Sequence, residues 1–461
     1  MTKLYAENIL IGSQWQTDRT LILDNAGVIT EILEGKEDGA VSLKGPVIPG
    51  MPNCHSHAFQ RAFAGYSEYR QYDANGNPTT DSFWSWRDIM YRFVAKMSPE
   101  DLHTVAKFLY IEMLKAGYTS VAEFHYLHHQ VGNVQYDDPA EMSHQVIKAA
   151  ESVGMGLTHL PVLYTYAGFG EQAPSSAQGR FIHQTDEYLG LLESLNTRYS
   201  DQENFKLGIA PHSLRAASEQ QLEEVIPFIR QMDSTAPIHI HIAEQTKEVE
   251  DCLDFYHQRP VEWLLNNHQV DQHWCLIHAT HLSNSEINAL AKSGSIAGIC
   301  PTTEANLGDG IFPTQEFLQL GGRFAIGSDS HIAINIADEL RLLEYGQRLT
   351  SHQRAVLVER ECPSVGQFLY LKAAKDGANA LSQNVGEISV GKRADLVVLD
   401  PEHPSLFSKH RSQVLDAAIF ACNQLPVKDV FVAGKQVIDS GEHNGSGAAI
   451  QDYKKVLARI V

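Results

Sequence analysis

The sequence predicts a (β/α)8 barrel of the TIM type with a second, small β-sandwich domain assembled from both chain ends. Three observations carry that expectation. Strand-like and helix-like periodicities alternate through the middle of the chain. Short, glycine-punctuated β-runs occur only at the two ends. Polar residues collect where the apolar runs of the middle stop. In parallel barrels the reactive side chains come from the C-terminal ends of different strands, so the last observation also predicts where the site lies.

In chain order, residues 1–48 form the N-terminal part of the small domain. "KLYAENILI" and "TLILDNAGVITEIL" read as strands, the second broken at Asn25-Ala26-Gly27. Residues 49–375 form the barrel. Its eight candidate strands are "GPVIPGMPNCHSH", "TSVAEFHY", "MGLTHLPVLY", "FKLGIAPHS", "APIHIHIAE", "WCLIHAT", "GSIAGICP" and "RFAIGSDS". Between the first two lies a clear helix, "SPEDLHTVAKFLYIEMLKAG". Ser98 caps it, Pro99 suits its first turn, and Gly117 ends the stripe Leu102, Val105, Leu109, Met113. Residues 376–461 return to β-texture in "VGEISVGKRADLVVLDP" and "PVKDVFVAGKQVIDSG". Neither end has strands enough for a stable sheet alone, so the two are expected to pair.

Bulk properties narrow the function. The chain has 461 residues, 43% hydrophobic and 20% charged, a balance that buries a large core. A formal charge of −20 argues against nucleic-acid and anionic-membrane partners and leaves a small-molecule substrate. No apolar run reaches the roughly 18 residues of a membrane span, and the start lacks the pattern of a secretion signal. Cys54, Cys252, Cys275, Cys300, Cys362 and Cys422 show no C-x-x-C pairing, which points to reduced thiols and a cytoplasmic location.

The strand ends carry the chemistry. His55 and His57 lie two apart, so on a strand both imidazoles point to one side, where neutral rings suit a cation. "HIHIAE" repeats the arrangement in His239 and His241, with Glu244 three residues on, and Asp329 ends the last strand. His55, His57, one of His239 and His241, and Asp329 would hold one divalent ion, zinc or ferrous iron, and leave a position for water. Arg87 lies in the first long β/α loop and Arg215 follows "APHS", so both can face the barrel mouth. Guanidinium forks hold carboxylates bidentately. The aromatics Phe83, Trp84 and Trp86 beside Arg87 form either an apolar wall or a loop anchor. Cys54 is expected to point away from the metal and pack as a small hydrophobe.

These motifs, from P-G-x-x-x-x-H-x-H to the terminal "VGEISVGKRADLVVLD", resemble the amidohydrolase superfamily over nearly the whole sequence. The branch resembled is the deaminases with one metal and no carbamylated lysine. That resemblance selects His241 as the ligand over His239, makes Glu244 the acid, and makes His278 of "HATH" a non-ligand active-site histidine beside Asp329. Within the branch, "NCHSHAFQRAFAG", "DSFWSWRDIMYR", "APHSLRA" and "HIHIAEQ" resemble the formimidoylglutamate deiminases. The resemblance implies hydrolysis of N-formimino-L-glutamate to N-formyl-L-glutamate and ammonia, substrate contacts at Gln60, Arg87, Tyr126, His212 and Arg215, and a homodimer. The alternative is a related aminohydrolase acting on a guanine-, cytosine- or triazine-like ring.

Overall fold

The computed structural model describes residues 2–70, 72–73, 75–77 and 83–461. Eight strand positions form the ring. They are Met51–Ser56, Tyr118–His125, Gly156–Leu163, Phe205–Leu207 running on to Ala210–Pro211, Ile238–Ile242, Trp274–His278, Ile296–Ile299 and Arg323–Ile326. Neighbours pair in parallel throughout. Two isolated parallel bridges, Ile209 to Ile238 and Ser56 to Asp329, join the resulting half-barrels and close the ring. Every residue of the first three strands is buried, as expected where a parallel sheet has side chains packed on both faces.

All eight candidate segments yield strands, with one revision. The run 46–56 reads as one strand but serves two sheets. Val47–Pro49 pairs antiparallel with Leu396–Val398 of the terminal sheet, whereas Met51–Ser56 enters the barrel. The switch is at Gly50, whose amide donates to the Asp395 carbonyl at 2.9 Å, while the next amide, Met51, donates to Gly117 at 3.1 Å. A Cβ on Gly50 would lie 2.3 Å from the Thr119 side chain, so only glycine fits.

The helix Pro99–Ala116 forms with the predicted cap. Ser98 and Asp101 exchange side-chain and backbone hydrogen bonds, and Gly117 ends it at φ 97°. At the other end of the barrel, helix Val365–Ala380 packs beneath the strands, and Tyr370 Oη donates to the Pro49 carbonyl at 2.7 Å. The chain ends meet in one eight-stranded sheet. Thr2–Ile11, Gln14–Leu23, Ile29–Glu34, Val41–Leu43 and Val47–Pro49 join Leu396–Leu399, Val427–Val432 and Lys435–Ile438. That sheet has its own apolar cluster, including Leu4, Ile9, Leu21, Ile29, Leu396 and Phe431. Among the described residues no helix is long and apolar enough to cross a membrane.

Candidate active site

Because the strands are parallel, their C-terminal ends all lie at the same end of the ring. At that end His55, His57, His241, Glu244, His278 and Asp329 come together, from the first, fifth, sixth and eighth strands and the turns that follow them. His55 Nε2 faces His241 Nε2 at 3.0 Å. Asp329 Oδ1 lies 3.7 Å from His55 Nε2 and 3.4 Å from His57 Nε2. His57 Nδ1 donates to the Phe124 carbonyl at 2.9 Å, and because a carbonyl only accepts, this leaves the Nε2 lone pair for a cation. Burial holds His55, His57 and His241 below the usual histidine range, so the three rings stay neutral. These buried side chains, with the ligand atoms of His55, His57 and Asp329 in one cluster and those of His55, His241 and His278 in another, are a donor set fit for a divalent metal.

His239 is two residues from His241 but one layer deeper. Its Nε2 donates to the Ala380 carbonyl at 2.8 Å, in the floor helix. His278 occupies the opposite flank of the donor set. Its Nε2 lies 3.7 Å from both Glu244 Oε1 and Asp329 Oδ2, and its Nδ1 lies 3.2 Å from Glu304 Oε1. Burial opposes a charge on His278, but Glu244, Glu304 and Asp329 together outweigh it and raise the ring to about 10. Burial raises Glu244 to about 7 and also raises Asp329. The backbone is strained around these groups: His278 and Asp329 sit at φ 67° and 47°, in the left-handed region that ordinary residues avoid.

A pocket opens above this cluster. Its wall includes His57, Gln60, Arg87, Tyr126, His212, Arg215, His241, Glu244, His278 and Asp329, with His55 buried behind them. Arg87 rides on helix Phe83–Val94, its guanidinium 5.6 Å from the Tyr91 ring centre. Gln60 donates to Tyr126 Oη at 2.8 Å. Trp86 lines the cavity; the side chains of Phe83 and Trp84, expected beside it, lie outside the described residues. Cys54 is wholly buried and packs towards Cys275, close to Gly298.

Sequence reasoning gave no role to several neighbours. Glu304 accepts from the Cys300 amide at 2.8 Å while contacting His278. Its signal was present in the strand-end cluster "CPTTEAN", but its partner was not. Tyr91, Tyr164 and Phe181 complete the apolar wall. Glu123 and His331 brace Ser56 from outside the ring, at 2.6 and 3.0 Å.

The amidohydrolase family model matches residues 47–437. The chain belongs to that family. This amidohydrolase is 47% identical to the formimidoylglutamate deiminase of Pseudomonas aeruginosa, over 100% of both chains. It superimposes on a crystal structure of an amidohydrolase from Brucella melitensis with a TM-score of 0.92, at 42% identity and 100% coverage of each chain. An adenosine deaminase from Xanthomonas campestris with bound zinc shares the amidohydrolase fold, at TM-score 0.81 and 22% identity, covering 100% of this chain and 98% of its own.

Proposed function

We propose that this amidohydrolase hydrolyses N-formimino-L-glutamate to N-formyl-L-glutamate and ammonia, with one divalent metal, zinc first, held by His55, His57, His241 and Asp329. The observation that carries the reading is the pairing, in one cavity, of a proton-handling cluster with two arginines, Arg87 and Arg215. The substrate has an amidine-like carbon at one end and two carboxylates at the other, and guanidinium forks suit those carboxylates. Trp86, Tyr91, Tyr164 and Phe181 would also serve a flat heteroaromatic ring, and the two arginines are what favours a dicarboxylate. The full-length likeness to a formimidoylglutamate deiminase supports the same substrate.

A divalent ion in the donor set supplies Lewis acidity and lowers the pKa of water near neutrality. The chain's own residues do the rest. Asp329 accepts the proton of the attacking water and passes it on towards the departing nitrogen. Glu244, raised to about 7, gives a proton to the formimino nitrogen, which makes the carbon more electrophilic, and takes one back from the added hydroxyl as the carbonyl forms and ammonia leaves. His278, cationic between Glu244, Glu304 and Asp329, orients the nucleophile and steadies developing negative charge. Arg87, Arg215, Tyr126, His212 and Gln60 grip the glutamate portion, so remote binding energy positions the reacting carbon.

The reading extends to a cytoplasmic homodimer, in keeping with six free cysteines; light scattering reads the dimer directly. The deciding assay is ammonia release from formiminoglutamate by metal-replete protein, lost on chelation and restored by zinc. Turnover of a guanine-, cytosine- or triazine-type substrate with none of formiminoglutamate would overturn it.

A further inference from the structure

The turn that carries Glu244 is held by a group outside the proposed reaction. Strand Ile238–Ile242 ends at Ala243, whose φ of 51° lies in the left-handed region without a glycine to favour it. Helix Thr246–Tyr256 begins three residues later, and its third residue, Glu248, folds back over the turn. Glu248 Oε1 accepts from the Ala243 amide and Oε2 from the Glu244 amide, each at 3.1 Å. An acid at this helix position ordinarily serves the amide of the capping residue, which here is Gln245. Glu248 reaches past it to the two amides before. Both of its oxygens are committed to consecutive backbone N–H groups, which fixes the peptide plane from which Glu244 departs.

Glu248 is only 7% exposed, and a carboxylate buried to that degree calls for an opposing charge. Arg215 supplies it. Burial pushes the Glu248 carboxyl up, and Arg215 is the foremost group drawing it back down; Arg215 in turn is favoured by Tyr164, Glu248 and Glu244 against its own burial. The Glu248 carboxylate thus holds the backbone beneath the proton-handling acid, and Arg215 acts on it electrostatically.

We propose that Glu248 is a positioning residue that holds the turn carrying Glu244, so that the group delivering the proton keeps one fixed place at the cavity wall. This rests on the role given above to Glu244. Glu248→Gln preserves size but turns one acceptor into an NH2 that opposes a backbone N–H. It is expected to keep its metal content and fold while kcat falls about 10- to 100-fold, the scale of a misplaced catalytic group, with KM changing less. In a Glu244→Gln background the same change should add no more than about a twofold loss, because Glu248 acts through Glu244. Hydrogen exchange at the Ala243 and Glu244 amides should quicken in Glu248→Gln, a readout independent of any substrate. Multiplying losses in the double variant, or unchanged exchange at those amides, would overturn the proposal. Wild-type protein inert towards formiminoglutamate would instead overturn the substrate reading, leaving the exchange result to decide the hold on the turn. If Glu248→Gln does not fold, Glu248→Asp keeps the charge and withdraws the carboxylate by one methylene; the same pattern is expected with smaller losses.

Discussion

Glu244 and Asp329 are both carboxyls that burial pushes upward, yet their neighbours differ. Asp329 lies within 4 Å of the His55, His57 and His278 imidazoles, whereas Glu244 pairs with His278. A ligand and a proton carrier should therefore answer mutation differently. Glu244→Gln is expected to retain its metal, by elemental analysis, while turnover drops by about two orders of magnitude or more. Loss of metal in step with activity would make Glu244 a ligand. The arginines give a second test at the same scale. Truncating Arg87 or Arg215 to alanine leaves a substrate carboxylate without its fork, at a cost on the order of 2–5 kcal/mol. kcat/KM on formiminoglutamate should then fall roughly 30-fold to several thousand-fold, with lysine rescuing only part. A simple formamidine without the glutamate portion should be a poor substrate and nearly indifferent to either change; equal loss on both would assign the arginines to the fold.

Helix Pro301–Leu307 turns Thr303 and Leu307 towards the cavity, and its first turn is pinned by a distant acid. Glu339, on helix Ile336–Ser351, accepts from Thr302 N at 2.9 Å and from Thr302 Oγ1 at 2.5 Å. Burial raises Glu339 to about 8, with the Thr302 bonds pulling the other way. Its proton is thus bound more tightly in the folded chain than in the unfolded one, where the pKa is 4.5. The stability it contributes is whole below pH 4.5 and is lost as pH rises through about 8. Melting temperature should decline from pH 5 to 9 more steeply in the wild type than in Glu339→Gln, a difference on the order of a few kcal/mol. Parallel profiles would show that Glu339 does not titrate in that window. The same element marks where reading the sequence stopped. Strands were legible because an apolar run and its polar end are contiguous, and H-x-H and H-x-x-E declare a shared face by spacing alone. Glu304 was visible as an acid at a strand end, but its bond to His278 depends on how two neighbouring β/α units are set against each other. Likewise the run through Gly50 has one periodicity and two destinations, which only packing against Thr119 and Asp395 distinguishes.

At the scale of the whole molecule, the donor set straddles the seam where the ring closes. His55 and His57 belong to the first strand and Asp329 follows the last. Their backbones interlock as Asp329 N donates to His55 O at 3.0 Å and His57 N to Asp329 O at 3.3 Å. An ion bound there ties first strand to last and binds only the closed ring, so it stabilises by mass action, about 4 kcal/mol at a thousandfold excess over Kd. Chelation should lower the melting temperature by several degrees and zinc should restore it; a melt unmoved by either would separate the metal from the seam. The C-terminal helix, Ser446–Ile460, reaches the same region, since Tyr453 Oη donates to Arg61 O at 2.8 Å and Arg61 Nη1 donates to His331 O at 2.6 Å. The shared terminal sheet has a consequence for how the protein is made. Val47–Pro49 waits for Leu396–Leu399 and Ser56 waits for Asp329, so neither sheet can be completed while the chain is still short. A ribosome-held fragment ending before Leu396 keeps an open strand edge and an uncovered apolar face, the features that draw aggregation during synthesis. Completion of both sheets is therefore expected to wait until the C-terminal strands have been synthesised.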